Sequence, residues 1–227
     1  CGAKALTIAH HPSTGFFPLE WSYRDAEFDR LVEVYSTWGN SEYYGARFPG
    51  YAADRHEGMG ALDALKMGHR LGFMASSDGH DGNPGNAQWC YRQPHIHHRL
   101  GSGFIGGLAP ELTRAAIFDA MYERRCYATT GTRIILDFRV NEARMGEVIP
   151  GFDGEDRFIE GEVIGTAPIE WIEVVHNDEL IYGEGGRDRR HVQFATDDWD
   201  AEGGGFYRLR VFQNDGEMVW SSPIWVD

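Results

Sequence analysis

The stretch LGFMASSDGHDGNP, residues 71–84, carries the most information about fold and function in this chain. Its apolar start, Leu71 to Ala75, runs into a loop rich in glycine and proline, which predicts a buried strand over residues 71–76. Side chains two residues apart on extended backbone point the same way, so Asp78 and His80 can converge just beyond the strand. Such a pair is a metal-ligand pair, a base with its orienting acid, or a polar turn.

A second apolar run ends in the same way near the start of the chain. Residues 5–15 read ALTIAHHPSTG, which predicts a short strand followed by His10 and His11. Adjacent side chains on a strand face opposite ways, so one histidine at most points into a shared pocket unless the chain turns there. Pro12 is expected to restrict His11 to an extended conformation. Two strands that both end in histidine favour a metal site over surface packing.

The bulk composition excludes some classes of function. Lysine and arginine number 21 against 35 acidic residues, which gives a net charge of 21 − 35 = −14 and argues against sequence-independent nucleic-acid binding. We find no apolar stretch long enough to cross a bilayer and no signal peptide, so we expect a soluble protein with no membrane partner; its compartment is open. Residues 5–9 already form a predicted strand, so the start of the chain is interpreted as a cut end. Cys1, Cys90 and Cys126 match no zinc or redox spacing.

The hydrophobic pattern changes near residue 133. Before it, predicted strands 5–9, 30–36 and 71–76 alternate with predicted helices 57–70 and 110–125, which favours an α/β unit with parallel strands. After it, the period becomes two, as in antiparallel strands. These predicted strands cover 134–140, 157–164, 170–176, 191–195, 205–213 and 218–226. The chain therefore divides into an α/β part, residues 1–133, and an antiparallel β-sandwich, residues 134–227.

Further candidates surround the predicted site. Glu33 lies in an apolar strand, where a carboxylate is costly unless it is paired or bound to a cation. It is a candidate for binding substrate, or for binding or supporting the metal inside the barrel; the alternative is a solvent-facing strand residue. Ser36 and Trp38 follow at the same strand end and contact a substrate or pack the loop. Arg99 is a candidate for binding a substrate phosphate. The nearby histidines of residues 95–98 are a second ligand pair or a solvated loop.

Six motifs together resemble one known family. They are AHHPS (9–13), VEVYSTWGNSE (32–42), SSDGHDGNPG (76–85), APELTRAAIFDA (109–120), RCYATTGTRI (125–134) and WSSPIWV (220–226). In this succession the chain resembles the C-terminal part of a PHP-domain protein of the DUF3604 subfamily, over nearly its whole length.

The resemblance implies the C-terminal part of a distorted PHP-type (β/α) barrel followed by the β-sandwich. It also implies metal-dependent hydrolysis, usually of phosphate esters of small molecules, by divalent Zn, Mn or Fe ions of undefined number at the ends of the barrel strands. The metal ligands would be His11 or His10, together with Asp78 and His80. Asp81 joins Asp78 and His80 as a catalytic candidate, as a general base or as an anchor for His80.

The chain departs from the family pattern in one large respect. The first two ligand motifs of the family have no counterpart here, so we expect the N-terminal part of the barrel, or another subunit, to complete the site in trans, and we expect an oligomer. The alternative is a non-catalytic binding or assembly module, in which the β-sandwich recognises a glycan or a protein and the partial barrel is a scaffold.

Overall fold

The computed structural model describes residues 4–15, 19–47, 56–80, 82–87, 102–151 and 154–227. Its helices and strands follow in this order: β1 Thr7–Ala9, β2 Asp29–Ser36, β3 Gly39–Asn40, α1 Ala61–Lys66, β4 Gly72–Ala75, β5 Phe104–Gly107, α2 Arg114–Tyr122, β6 Cys126–Thr129, β7 Ile135–Val140, β8 Ala143–Arg144, β9 Val148–Ile149, β10 Glu155–Ile164, β11 Ile169–His176, β12 Glu179–Gly185, β13 His191–Ala201, β14 Gly205–Gln213, β15 Met218–Ser221 and β16 Ile224–Val226.

The strands form three sheets. In the first, β1 and β4 both pair with β2 in parallel and β3 pairs with β2 in antiparallel fashion. The second is antiparallel, in the order β13-β10-β7-β8. The third has eight strands in the order β12-β11-β14-β15-β6-β5, with β16 on β14 and β9 beside β16.

The eight-stranded sheet is the middle layer of the molecule. Its strand β14 places Leu209 in a core shared with the second sheet. Phe206 and Phe212, on the opposite face of β14, lie in or against a different core. This core also contains Val32 and Phe73 of the parallel sheet. Because side chains alternate along a strand, one strand supplies both cores.

The expected partial (β/α) barrel is wrong. Helices account for 8% of the described residues and strands for 44%, and this part of the chain contains no closed barrel. The parallel strands β1, β2 and β4 do exist, but they pack on an antiparallel sheet instead of curving into a ring with helices outside. The expected β-sandwich is confirmed, although its middle sheet also takes β5 and β6 from before residue 134.

Two local expectations also fail. The helix predicted from residue 110 begins after Thr113, whose side chain caps it by accepting a hydrogen bond from the amide of Ala116. Leu112, Ala116 and Ala120 are spaced as one apolar stripe of that predicted helix, yet Leu112 is 93% exposed. Residues 206–212 alternate apolar with basic side chains, which is typical of a half-exposed strand, but Arg208 is only 4% exposed because that side of β14 packs on the parallel sheet.

Helices that are both long and apolar enough to cross a membrane do not occur among the described residues.

Candidate metal centre

The candidate site lies where the parallel strands end. Strand β1 stops at Ala9, directly before His10 and His11, and β4 stops at Ala75, three residues before Asp78. Because β1 and β4 flank β2 and run in the same direction, their carboxyl ends meet at one edge of the sheet. This edge is where α/β proteins commonly place ligands.

The chain turns sharply at His11, which brings the two adjacent imidazoles together. His11 has a φ of +32°, so the extended conformation expected from Pro12 is wrong. The amide of Thr14 closes the turn on the carbonyl of His11 at 3.1 Å. The ring centroids of His10 and His11 lie 3.9 Å apart. The turn therefore removes the strand alternation that would have sent the rings to opposite faces.

Three side chains form a compact ligand set. His10, His11 and Asp78 each offer one nitrogen or oxygen atom, and these atoms all lie within 4.8 Å of one another. The distance from His10 Nε2 to Asp78 Oδ1 is 3.4 Å. Two imidazoles and one carboxylate are a donor set suited to a divalent transition metal, and three protein ligands leave a coordination position open for water.

Asp78 is held in an unusual state. Its side chain is only 9% exposed, and Oδ2 has no hydrogen-bond partner among the described residues. Its φ is +46°, in the left-handed region that few residues other than glycine adopt. Burying a carboxylate oxygen without a partner costs free energy, and a bound cation would compensate this cost.

Glu33 lies behind the histidines and does not face solvent. Its side chain is 3% exposed. Its Oε2 atom lies 3.0 Å from His10 Nδ1 and accepts a hydrogen bond from Ser76 Oγ at 2.5 Å. Its Oε1 atom accepts one from the backbone amide of His11 at 3.2 Å. The predicted substrate-binding residue thus contacts the predicted ligands.

The surroundings of the two histidines shift their pKa values in opposite directions. Hydrogen bonds to Asp78 and then to Glu33 raise the pKa of His10 to about 10. Burial, followed by the charge of His10, lowers the pKa of His11 below its ordinary value. Burial acts to raise the pKa of Asp78, but the hydrogen bond and charge of His10 outweigh it and leave that pKa low. The carboxylates of Asp78 and Glu33 give the site a negative charge, and a metal ion held by His10 Nε2 would replace the proton on that atom.

Two of the other predicted site residues, His80 and Trp38, lie beside this cluster. His80 places Nε2 3.3 Å from Asp78 Oδ1, on a side chain that is 76% exposed. The ring of Trp38 lies 5.5 Å from that of His11. Ser36 is buried, and its Oγ accepts a hydrogen bond from the amide of Trp38. Asp81 and Arg99 lie outside the described residues, as do the histidines of residues 95–98.

Two hydroxyl groups in the site were not singled out from the sequence. Thr14 Oγ1 lies 3.0 Å from His11 Nδ1. Ser76 Oγ, besides donating to Glu33, accepts a hydrogen bond from the amide of Asp78 at 3.2 Å. Their only signal in the sequence is position, since each follows a strand and stands within three residues of a predicted ligand.

A close backbone approach fixes the end of β4. The amide of Gly103 donates to the carbonyl of Ser76 at 2.8 Å. A Cβ atom at residue 103 would lie 2.4 Å from the Cβ of Ala75 and 3.1 Å from the amide nitrogen of Ser76. Only glycine fits this approach, which holds the segment before Asp78 against the middle sheet.

Comparison with known proteins supports part of the resemblance. Residues 91–142 match the family model described as a protein of unknown function, DUF3604. The match confirms the DUF3604 resemblance for that segment. Nothing in the comparisons supports the PHP phosphoesterase assignment.

Chlamydial proteins are similar to most of this chain. An uncharacterised protein of Chlamydia pneumoniae is 35% identical across 88% of the chain, and one of Chlamydia trachomatis serovar D is 35% identical across 99%. A Chlamydia muridarum protein is 34% identical across 99%. The chain spans little more than a third of these relatives, 35–38% of their length. A solved structure of the fibronectin(III)-like modules of Clostridium thermocellum CbhA covers 39% of the chain and 93% of its own, at 20% identity and a TM-score of 0.30.

Proposed function

We propose that this chain binds a divalent transition metal ion at His10, His11 and Asp78 and uses it for metal-dependent hydrolysis. The observation that carries the proposal is the carboxylate of Asp78, which is 9% exposed and has an Oδ2 atom without a partner among the described residues. It lies beside two imidazoles whose nitrogens are within reach of the same ion. A cation is the ligand that satisfies all three groups.

The proposal gives each side chain a task. His10, His11 and Asp78 would hold the ion, and the exposed His80 can approach it from the solvent side or exchange a proton with a substrate. A bound Zn²⁺, Mn²⁺ or Fe²⁺ ion supplies Lewis acidity and lowers the pKa of a coordinated water towards ~7. Phosphate esters are the proposed substrate class, and Asp81 and Arg99 remain predicted contributors to catalysis and substrate binding.

The rival proposal, recognition of a glycan or a protein by the β-sandwich, has a weaker basis. Trp199 is 68% exposed and Phe158 is also exposed, and strands of the second sheet line an open groove of about 530 Å³ that contains Asp137, Arg139 and Glu162. The carboxylates of Asp137 and Glu162 in this groove are already paired, with Arg139 and His191. Asp78 differs from them because its Oδ2 atom lacks such a partner.

The test is metal binding by the purified protein. Wild-type protein dialysed against Zn²⁺ or Mn²⁺ should retain the metal in stoichiometric amount, measured by elemental analysis, and should hydrolyse a chromogenic phosphate monoester. Loss of partners around a ligand typically costs 10–100-fold in affinity, so Asp78→Asn, which removes a ligand charge, should cost more than about 100-fold. Asp137→Asn, a matched change on the far sheet, should leave affinity unchanged. Wild-type protein without bound metal, or equal binding by Asp78→Asn, would refute the proposal.

A further inference from the structure

The middle strand of the parallel sheet holds one buried acid that touches both ligand-bearing segments. Glu33 lies on β2, with β1 on one side and β4 on the other. Its carboxylate therefore reaches His10 and His11 after β1, and Ser76 after β4. Ser76 in turn holds the amide of Asp78. A single side chain thus connects the whole ligand set.

We infer that Glu33 is the positioning residue of this metal site, an inference that rests on the proposed function. Both of its oxygens are engaged, Oε1 by the amide of His11 and Oε2 by His10 and Ser76. Glu33 therefore acts through the ligands and does not bind the ion itself. Its place in the core fits this role, because a buried carboxylate is tolerated when it accepts several hydrogen bonds.

The main effect of Glu33 is on the imidazole of His10. The Nδ1–H group of His10 donates to Glu33 at 3.0 Å, which turns Nε2 towards Asp78 at 3.4 Å. In metal sites, a carboxylate that accepts from one ring nitrogen fixes the tautomer and leaves the other nitrogen for the ion. The second effect is on geometry, since the hydrogen bond to the amide of His11 stabilises the turn that brings the two rings together.

The experiment compares Glu33→Gln with wild type in Zn²⁺ titrations followed by calorimetry. We expect the variant to bind Zn²⁺ about 10–100-fold more weakly, the usual cost of removing such a partner. In the Zn²⁺-bound protein the ¹⁵N shift of His10 Nδ1 should also change, because the hydrogen-bond acceptor of its N–H group changes from a carboxylate to an amide. A residue with a merely structural role would leave this shift unchanged in a folded protein. Glu217→Gln removes another part-buried carboxylate, one that is bonded to Thr130, and should change neither quantity.

The outcomes separate this inference from the proposed function. A folded Glu33→Gln protein with wild-type Zn²⁺ affinity, or with an unchanged ¹⁵N shift of His10 Nδ1, overturns the inference, whereas Zn²⁺ binding by the wild type supports the metal site. Wild-type protein that binds no Zn²⁺ overturns both. If thermal unfolding shows that Glu33→Gln does not fold, Glu33→Asp takes its place. This variant keeps the charge but withdraws the carboxylate by one methylene, and it should also bind Zn²⁺ about tenfold more weakly.

Discussion

Replacing Glu42 by glutamine should destabilise the protein more than a typical surface substitution, because Glu42 is a buried anion between the parallel sheet and the middle sheet. Its side chain is 1% exposed. Arg208 Nη1 donates to its Oε1 atom, and Trp220 Nε1 donates to its Oε2 atom at 2.9 Å. Arg210 approaches the same carboxylate at 3.3 Å. The change would leave the Arg208 guanidinium buried without an anion, whereas Arg210 would keep its ion pair with Glu173 at 2.7 Å.

The magnitude follows from the cost of an uncompensated buried charge. Breaking a buried ion pair by removing one partner typically costs about 3–5 kcal/mol. Burial already lowers the pKa of Arg208, against the opposing charge of Glu42, which indicates that this guanidinium is poorly solvated. For a chain of 227 residues, 1 kcal/mol corresponds to roughly 2–4 °C, so the midpoint of thermal unfolding should fall by about 6–20 °C.

Urea and thermal unfolding of wild type and Glu42→Gln measure this loss directly. Asp178→Asn is the control, because it removes the exposed ion pair with Lys66, and surface pairs of this kind contribute only about 0–1 kcal/mol. Adding Arg208→Met to Glu42→Gln should recover part of the loss, since one guanidinium then no longer needs an anion. A loss below about 1 kcal/mol for Glu42→Gln would show that water reaches the arginines, and the buried-pair argument would fail.

Two further predictions concern packing and pH. Gly103→Ala should cost about 1–3 kcal/mol in thermal unfolding through overpacking, whereas Gly107→Ala on the same segment, where a Cβ meets open space, should be close to neutral; equal effects would refute the close approach. The ring of His176 stacks on Tyr207, and burial lowers its pKa below 6.5. As the pH falls, the unfolded chain therefore binds a proton at His176 before the folded chain does. The contribution of His176 to the free energy of unfolding should therefore be fully present above pH 6.5 and be lost as the pH drops through 6.5. Urea unfolding from pH 8 to 5 measures this dependence, and His176→Gln should make it less steep. An unchanged pH dependence in the variant contradicts the assignment.

The approach of the segment at His10 and His11 to Asp78 could be predicted from the sequence, because it depends on local patterns. Short apolar runs followed by polar residues predicted strands that end at His10 and Asp78, and parallel pairing then brings their ends together. The turn at His11 could not be predicted, because proline after histidine favours extended backbone. Contacts with Thr14 and Glu33, which accompany the positive φ, are invisible to that local rule.

The overall architecture was harder to predict because it depends on distant contacts. The parallel sheet packs on the middle sheet through pairs such as the amide of Phe73 and Ser222 Oγ, which are 149 residues apart. When a strand alternates apolar and basic residues, its basic side is expected to face solvent, because the sequence does not show which distant carboxylate could pair with the basic side chains in the core. Arg208 meets its anion in Glu42, at a separation of 166 residues, so the sequence pattern assigned the wrong environment to a correctly predicted strand.

Two buried acids in residues 32–42, Glu33 and Glu42, connect the candidate site to the β-sandwich. Residues 32–42 carry Glu33, which faces the ligands, and Glu42, which faces the arginines of β14. Ser41, beside Glu42, accepts a hydrogen bond from Ser13 at 2.9 Å, next to the turn at His11. The ligand turn is thus tied to the middle sheet through short polar contacts. The sandwich therefore supports the site directly, and a separation of the chain at residue 133 would remove both the anchor of Glu42 and strand β15, which pairs with β6.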